Sequence, residues 1–136
     1  MPYLHDDYIE VISKYSLEEW EPLMDFIRVL EIKYSSQDQG SKKIFETDSV
    51  ELREFLNIIH YKTPIMIVFD WVNWMEGKRF LQKLDTDFSL FSIPDLCKLM
   101  TVLVRADRFN EGLLQSSLEN GLIINLLKAV QSKLKF

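Results

Sequence analysis

The chain has 136 residues, of which 47% are hydrophobic, 27% charged and 12% aromatic, and its net charge is −5. This is the size and composition of one globular domain, and it excludes intrinsic disorder. A single cysteine, Cys97, excludes an intrachain disulfide. Residues 1–51 carry 12 acidic and 5 basic side chains, net −7; residues 52–136 carry 9 acidic and 11 basic, net +2. Phosphate contacts dominate nucleic-acid affinity and leave a basic stripe in the sequence; none is present, so nucleic acid is not an expected partner.

The first helix is predicted over Asp6 to Lys14. Asp6, Asp7 and Glu10 occupy the stretch where the apolar run of a secretory leader would sit. Ser16 and Glu19 have the spacing of a capping box. Behind them Leu23, Phe26, Ile27 and Leu30 follow the helical period, with Trp20 less regularly placed. Pro22 lies too far inside for the ideal first position, so this helix is expected to start late or to kink. Ser35 to Lys43, polar and containing Gly40, reads as a loop within one domain rather than as a boundary.

A third helix is predicted after Asp48, capped by Asp48 with Glu51. Val50, Leu52, Phe55, Leu56 and Ile59 form its stripe, and Thr63-Pro64 ends it. Ile65 to Phe69 is the longest apolar run, far short of the ~20 residues that span a bilayer. It reads either as a strand pairing with Ile44-Phe45 or as an apolar connector, and periodicity does not separate the two. Asp70 is placed as the N-cap of a fourth helix carrying Trp71, Trp74, Met75 and Lys78.

Ser92, with Asp95, opens a fifth helix whose face is Leu96, Leu99, Met100, Leu103 and Val104. A break is expected near Phe109-Asn110. A short helix then runs from Glu111 to Asn120, with Gly121 as a left-handed cap. The last helix, Leu122 to Leu134, buries Ile123, Leu126, Leu127 and Val130. The expected fold class is therefore mainly α: a compact multi-helix domain over 1–136, with a small two-stranded β ribbon as an option.

The residues offer little to catalysis, and a non-enzymatic role is favoured. His5 and His60 lack clustered partners, so no metal site is expected. Gly40, Gly77, Gly112 and Gly121 are too scattered for a phosphate loop, so no cofactor is expected either. Cys97 reads as a small buried residue on a helix, where thiol reactivity falls. A cytoplasmic protein without a membrane span is the expected setting.

Two constellations remain. Arg105, Asp107, Arg108 and Glu111 are three or four residues apart on a helix. They could form an anion clamp of two guanidinium groups, or a salt-bridge network tying two helices across the Phe109 break; the second is favoured. Trp71 and Trp74, beside Phe69 and Met75, could present a partner surface or fill the core with each indole N–H satisfied; again the second is favoured.

Phe69-Asp70-Trp71 with Trp74 forms one block. Thr101, Val104-Arg105, Asp107-Arg108-Phe109, Glu111-Gly112 and Glu119-Asn120-Gly121 form another. Together, over about residues 65–130, they resemble a bacterial family of uncharacterised proteins, a domain of unknown function. Histidines of that family are replaced here by Leu103, Leu113 and Leu122, and a cysteine by Asn110. The resemblance thus carries over the charged set and the tryptophans, and it implies no activity. Two readings follow: a small interaction or regulatory module of a bacterium or its mobile elements, whose partner is another protein; or a small-anion receptor or enzyme using the Arg105–Glu111 cluster.

Overall fold

The computed structural model describes residues 5–34, 49–82 and 87–134. Seven α-helices lie among them: α1 (His5–Ser13), α2 (Leu17–Tyr34), α3 (Val50–Asn57), α4 (Met75–Leu81), α5 (Ile93–Asp107), α6 (Leu113–Glu119) and α7 (Leu122–Leu134). The mainly α expectation holds, and no strand occurs among the described residues.

Three helix starts follow from short oxygen-bearing side chains. Ser16 and Glu19 close a full capping box: the Glu19 N–H donates to Ser16 Oγ at 3.2 Å, and the Ser16 N–H donates to Glu19 Oε1 at 3.0 Å. Helix α2 therefore begins at Leu17, with Pro22 inside it rather than at its start. The cap of α3 is Ser49, not Asp48, which lies outside the described residues; Ser49 Oγ accepts from the Leu52 N–H at 3.1 Å. Ser92 caps α5 by accepting from the Asp95 N–H at 3.2 Å. The Asp95 carboxylate turns to Lys98, 3.8 Å away, instead of returning to the cap.

Helix α7 lies at the centre, packed on α2, α5 and α6. It buries Leu122, Ile123, Leu126, Leu127 and Val130, in agreement with the predicted stripe. From the opposite side α2 brings Trp20, Leu23, Phe26, Ile27 and Leu30, and Phe26 stacks on Phe55 of α3 with centroids 5.9 Å apart. Cys97 is wholly buried on α5, and burial pushes its thiol pKa far up, so it packs as an apolar side chain.

Before Pro64 the chain widens into a π-helical turn, Ile58–Lys62. This turn places two successive isoleucines, Ile58 and Ile59, and then Thr63 in the interior. The Thr63 hydroxyl donates to the Glu19 carbonyl at 2.7 Å, next to the backbone position where Pro22 removes a helical N–H.

Ile65 to Phe69 is an extended connector, the second of the two readings of that run; Ile44-Phe45 lies outside the described residues. Its buried backbone is satisfied without a neighbouring strand. The Ile65 N–H donates to the Ile59 carbonyl at 3.1 Å. The Ile67 N–H donates to Thr101 Oγ1 at 3.2 Å, and that hydroxyl donates onward to the Cys97 carbonyl at 2.8 Å. Thr101→Val keeps the shape and leaves the Ile67 N–H without an acceptor. We expect it to cost about 1–2 kcal/mol in urea unfolding; an unchanged midpoint would show that the connector does not depend on this hydroxyl.

A buried polar knot joins the ends of α2, α3 and α6. Ser49 Oγ donates to Gln115 Oε1 at 2.6 Å. Gln115 Nε2 donates to Tyr34 Oη at 3.3 Å and to Glu119 Oε2 at 2.9 Å. Burial raises the Tyr34 pKa against the opposing effect of the Gln115 hydrogen bond.

Candidate functional site

Of the two constellations singled out in the sequence, Trp71 lies against Phe109 within the stretch that carries the charged cluster, whereas Trp74 packs beside Lys98 in the first half of α5. The connector leaves the core at Phe69, forms a 3₁₀ turn over Trp71–Asn73 and enters α4 at Met75. Asp70 is thus not the cap of a long fourth helix. It flanks the 3₁₀ turn, makes no cap hydrogen bond to a backbone N–H, and accepts from Asn73 Nδ2 at 2.8 Å. The 3₁₀ turn and α4 meet at Trp74, whose N–H donates to the Trp71 carbonyl at 3.2 Å, and the two tryptophans go to different partners.

Trp74 turns toward α5. Its ring meets Phe69 edge-on, with centroids 5.5 Å apart, and rests against Gly77. The Lys98 ammonium lies 4.9 Å from the Trp74 ring centroid and 5.2 Å from that of Phe69. This is cation–π geometry on two faces at once.

Trp71 turns toward the loop after α5. Its ring lies against Phe109, with centroids 6.4 Å apart and planes 32° from parallel. Lys78 reaches back from α4, donating to the Val72 carbonyl at 2.6 Å with its ammonium 5.5 Å from the Trp71 ring. Phe109 is 77% exposed. Val72 and Met75, next to Trp71 in the chain, are also exposed.

The turn that presents Phe109 is built locally. Helix α5 ends at Asp107, and the N–H groups of Phe109, Asn110 and Leu113 donate to the carbonyls of Ala106, Asp107 and Asn110. Gly112 then takes φ = 91°, a left-handed conformation that favours glycine. Glycine offers no side-chain cap to α6, and the Asp107 carboxylate supplies one from across the turn, accepting from the Leu114 N–H at 2.9 Å. Helix α6 begins at Leu113, two residues later than its predicted start, while Gly121 has the predicted left-handed φ of 91°.

Of the four charged candidates, Asp107 is therefore engaged with the backbone of α6. Arg105, Arg108 and Glu111 are exposed, and among the described residues none of the three is in an ion pair. The sequence reading gives Phe109, Lys98 and Gly77 no part here. Phe109 and Lys98 meet the tryptophans across segments far apart in the chain, whereas Gly77 and Lys78 lie three and seven residues from the tryptophans they meet, and the turn between them decides those contacts.

Elsewhere, a cleft of about 590 Å³ opens between α2 and the α6–α7 corner, lined by Leu30, Tyr34, Glu119 and Lys128. Lys128 is there paired with Glu31 at 3.1 Å. Among the described residues no group of three or more His, Cys, Asp or Glu side chains is placed to hold a metal ion, and no helix is long and apolar enough to cross a membrane.

Fold and surface together define an all-α domain in which an exposed phenylalanine rests on a half-buried tryptophan with a lysine ammonium beside it. The chain belongs to a family of unknown function, DUF6508, whose model matches residues 15–135. The match reaches well N-terminal of residues 65–130, the span of the two motif blocks, and takes in α2. No curated protein and no solved structure matches the chain.

Proposed function

We propose that this protein is a small non-enzymatic interaction module that docks another protein through the Trp71–Phe109 pair. The observation that carries this reading is a tilted contact of two large rings at the surface: a Phe that is 77% exposed lies against a half-buried Trp instead of being folded into a core. Trp is the residue type most enriched at binding hot spots, and a preordered aromatic pair loses little entropy on docking. Lys78, with its ammonium 5.5 Å from the Trp71 ring, adds a cation beside it.

Affinity capture with the tagged full chain tests this, comparing wild type, Phe109→Glu and Leu90→Glu. Leu90 is 82% exposed on a different segment and serves as the control. The expected result is a specific partner lost with Phe109→Glu and kept with Leu90→Glu. Recovery of the same proteins by wild type and Phe109→Glu would overturn the reading.

A second reading has its own support in the two exposed guanidinium groups of Arg105 and Arg108, which are in no ion pair among the described residues. On that reading the cluster Arg105, Asp107, Arg108 and Glu111 receives a small anion. Calorimetry with inorganic phosphate distinguishes it: saturable binding lost in Arg105→Ala/Arg108→Ala supports the receptor, and no heat of binding removes it.

A further inference from the structure

We propose that Phe69, Trp74 and Asp95 form a binding site for a methylated lysine side chain, held in this structure by the chain's own Lys98. Two rings stand at 78° to each other with centroids 5.5 Å apart, making two walls of a box. An ammonium sits 4.9 and 5.2 Å from their centroids, and a carboxylate oxygen of Asp95 lies 3.8 Å from it. Perpendicular aromatic walls with a carboxylate nearby are the chemistry that selects an organic cation.

The resident guest is itself a lysine ammonium, which indicates the class of ligand the box accepts. Its side chain keeps 16% of its area exposed, so the box reaches the surface. Methylation makes an ammonium larger and less strongly hydrated, so it fills aromatic walls better and is less costly to desolvate than the primary ammonium now present. Lys98 competes as a tethered ligand at high effective concentration, which sets a weak affinity in the wild type and closes the box when no ligand is bound. The site is distinct from the Trp71–Phe109 surface, and the proposal does not depend on docking there.

The probe is N-acetyl-trimethyllysine methylamide, titrated into the full chain and followed by indole fluorescence and by the NMR signals of the Trp74 ring. The wild type is expected to bind weakly and saturably. Lys98→Ala, which removes the tethered competitor, is expected to bind at least about tenfold more tightly. Trp74→Leu in the Lys98→Ala background is expected to lose that gain. Lys98→Gln serves as a second variant should Lys98→Ala not fold, as judged by circular dichroism. The proposal is overturned if the wild type shows no saturable binding, or if the folded Lys98 variants bind no more tightly than the wild type. It is equally overturned if the Trp74→Leu background retains the gain, or if choline binds as tightly as the trimethyllysine probe, since the lysine stem would then contribute nothing.

Discussion

Trp20→Ala is expected to lower the free energy of unfolding by about 3–5 kcal/mol, the range for deleting a large buried aromatic side chain. A domain is stable by about 5–15 kcal/mol, so this variant should be partly unfolded at moderate temperature. The Trp20 side chain is 1% exposed at the start of α2. It meets the Tyr15 ring edge-on at 5.7 Å, and the Tyr15 hydroxyl donates to the Pro64 carbonyl at 2.5 Å. The indole therefore ties together the α1–α2 turn, the first turn of α2 and the entry to the connector. Urea unfolding followed by circular dichroism measures the loss, and Trp20→Phe should recover part of it by refilling the cavity. A loss under about 1 kcal/mol would mean that the surroundings collapse onto the site, and that the ring does not organise this corner.

The second large effect is expected at Gly77, where the sign is the informative part. Glycine inside a helix is ordinarily worse than alanine by about 0.5–1 kcal/mol, so propensity alone favours Gly77→Ala. Here a Cβ built on Gly77 would stand 2.3 Å from Trp74 Cε3 and 2.5 Å from Cζ3. The ring would have to leave its place against Phe69 and Lys98, or α4 would have to shift. We expect a net loss of about 3 kcal/mol, at the upper end for overpacking, because the obstacle is a rigid ring already in contact on its other side. Near-ultraviolet circular dichroism should report the displaced indole. A Gly77→Ala protein as stable as the wild type or more so would mean that the close packing of Trp74 on α4 is not part of the native state.

Some of this architecture is readable residue by residue. The Ser16–Glu19 box, the Ser92 cap, the stripes of α2 and α7 and the left-handed Gly121 all appear where the pattern places them. Other elements are misread for identifiable reasons. Asp70 has the side chain of a cap, but the chain after it forms a 3₁₀ turn, and its carboxylate finds Asn73 before it finds a backbone N–H. Asp107 reads as one member of a charged cluster, yet it caps α6 because Gly112, at the cap position, has no side chain to offer. Ile65 to Phe69 has strand-forming composition, and the hydrogen bonds a strand would need from a neighbour come instead from Ile59 and from the Thr101 hydroxyl.

The sequence alone determined the helical class, most helix starts and the inward faces, because caps and periodic stripes act over three or four residues and carry their own signal. Tertiary structure alone decided which side chains from distant segments meet. The Trp71–Phe109 pair, the box around Lys98 and the Ser49–Gln115 knot each join segments distant in the chain. Their meeting depends on the summed backbone angles of the turns between them, where a shift of one residue at a helix end redirects every side chain that follows.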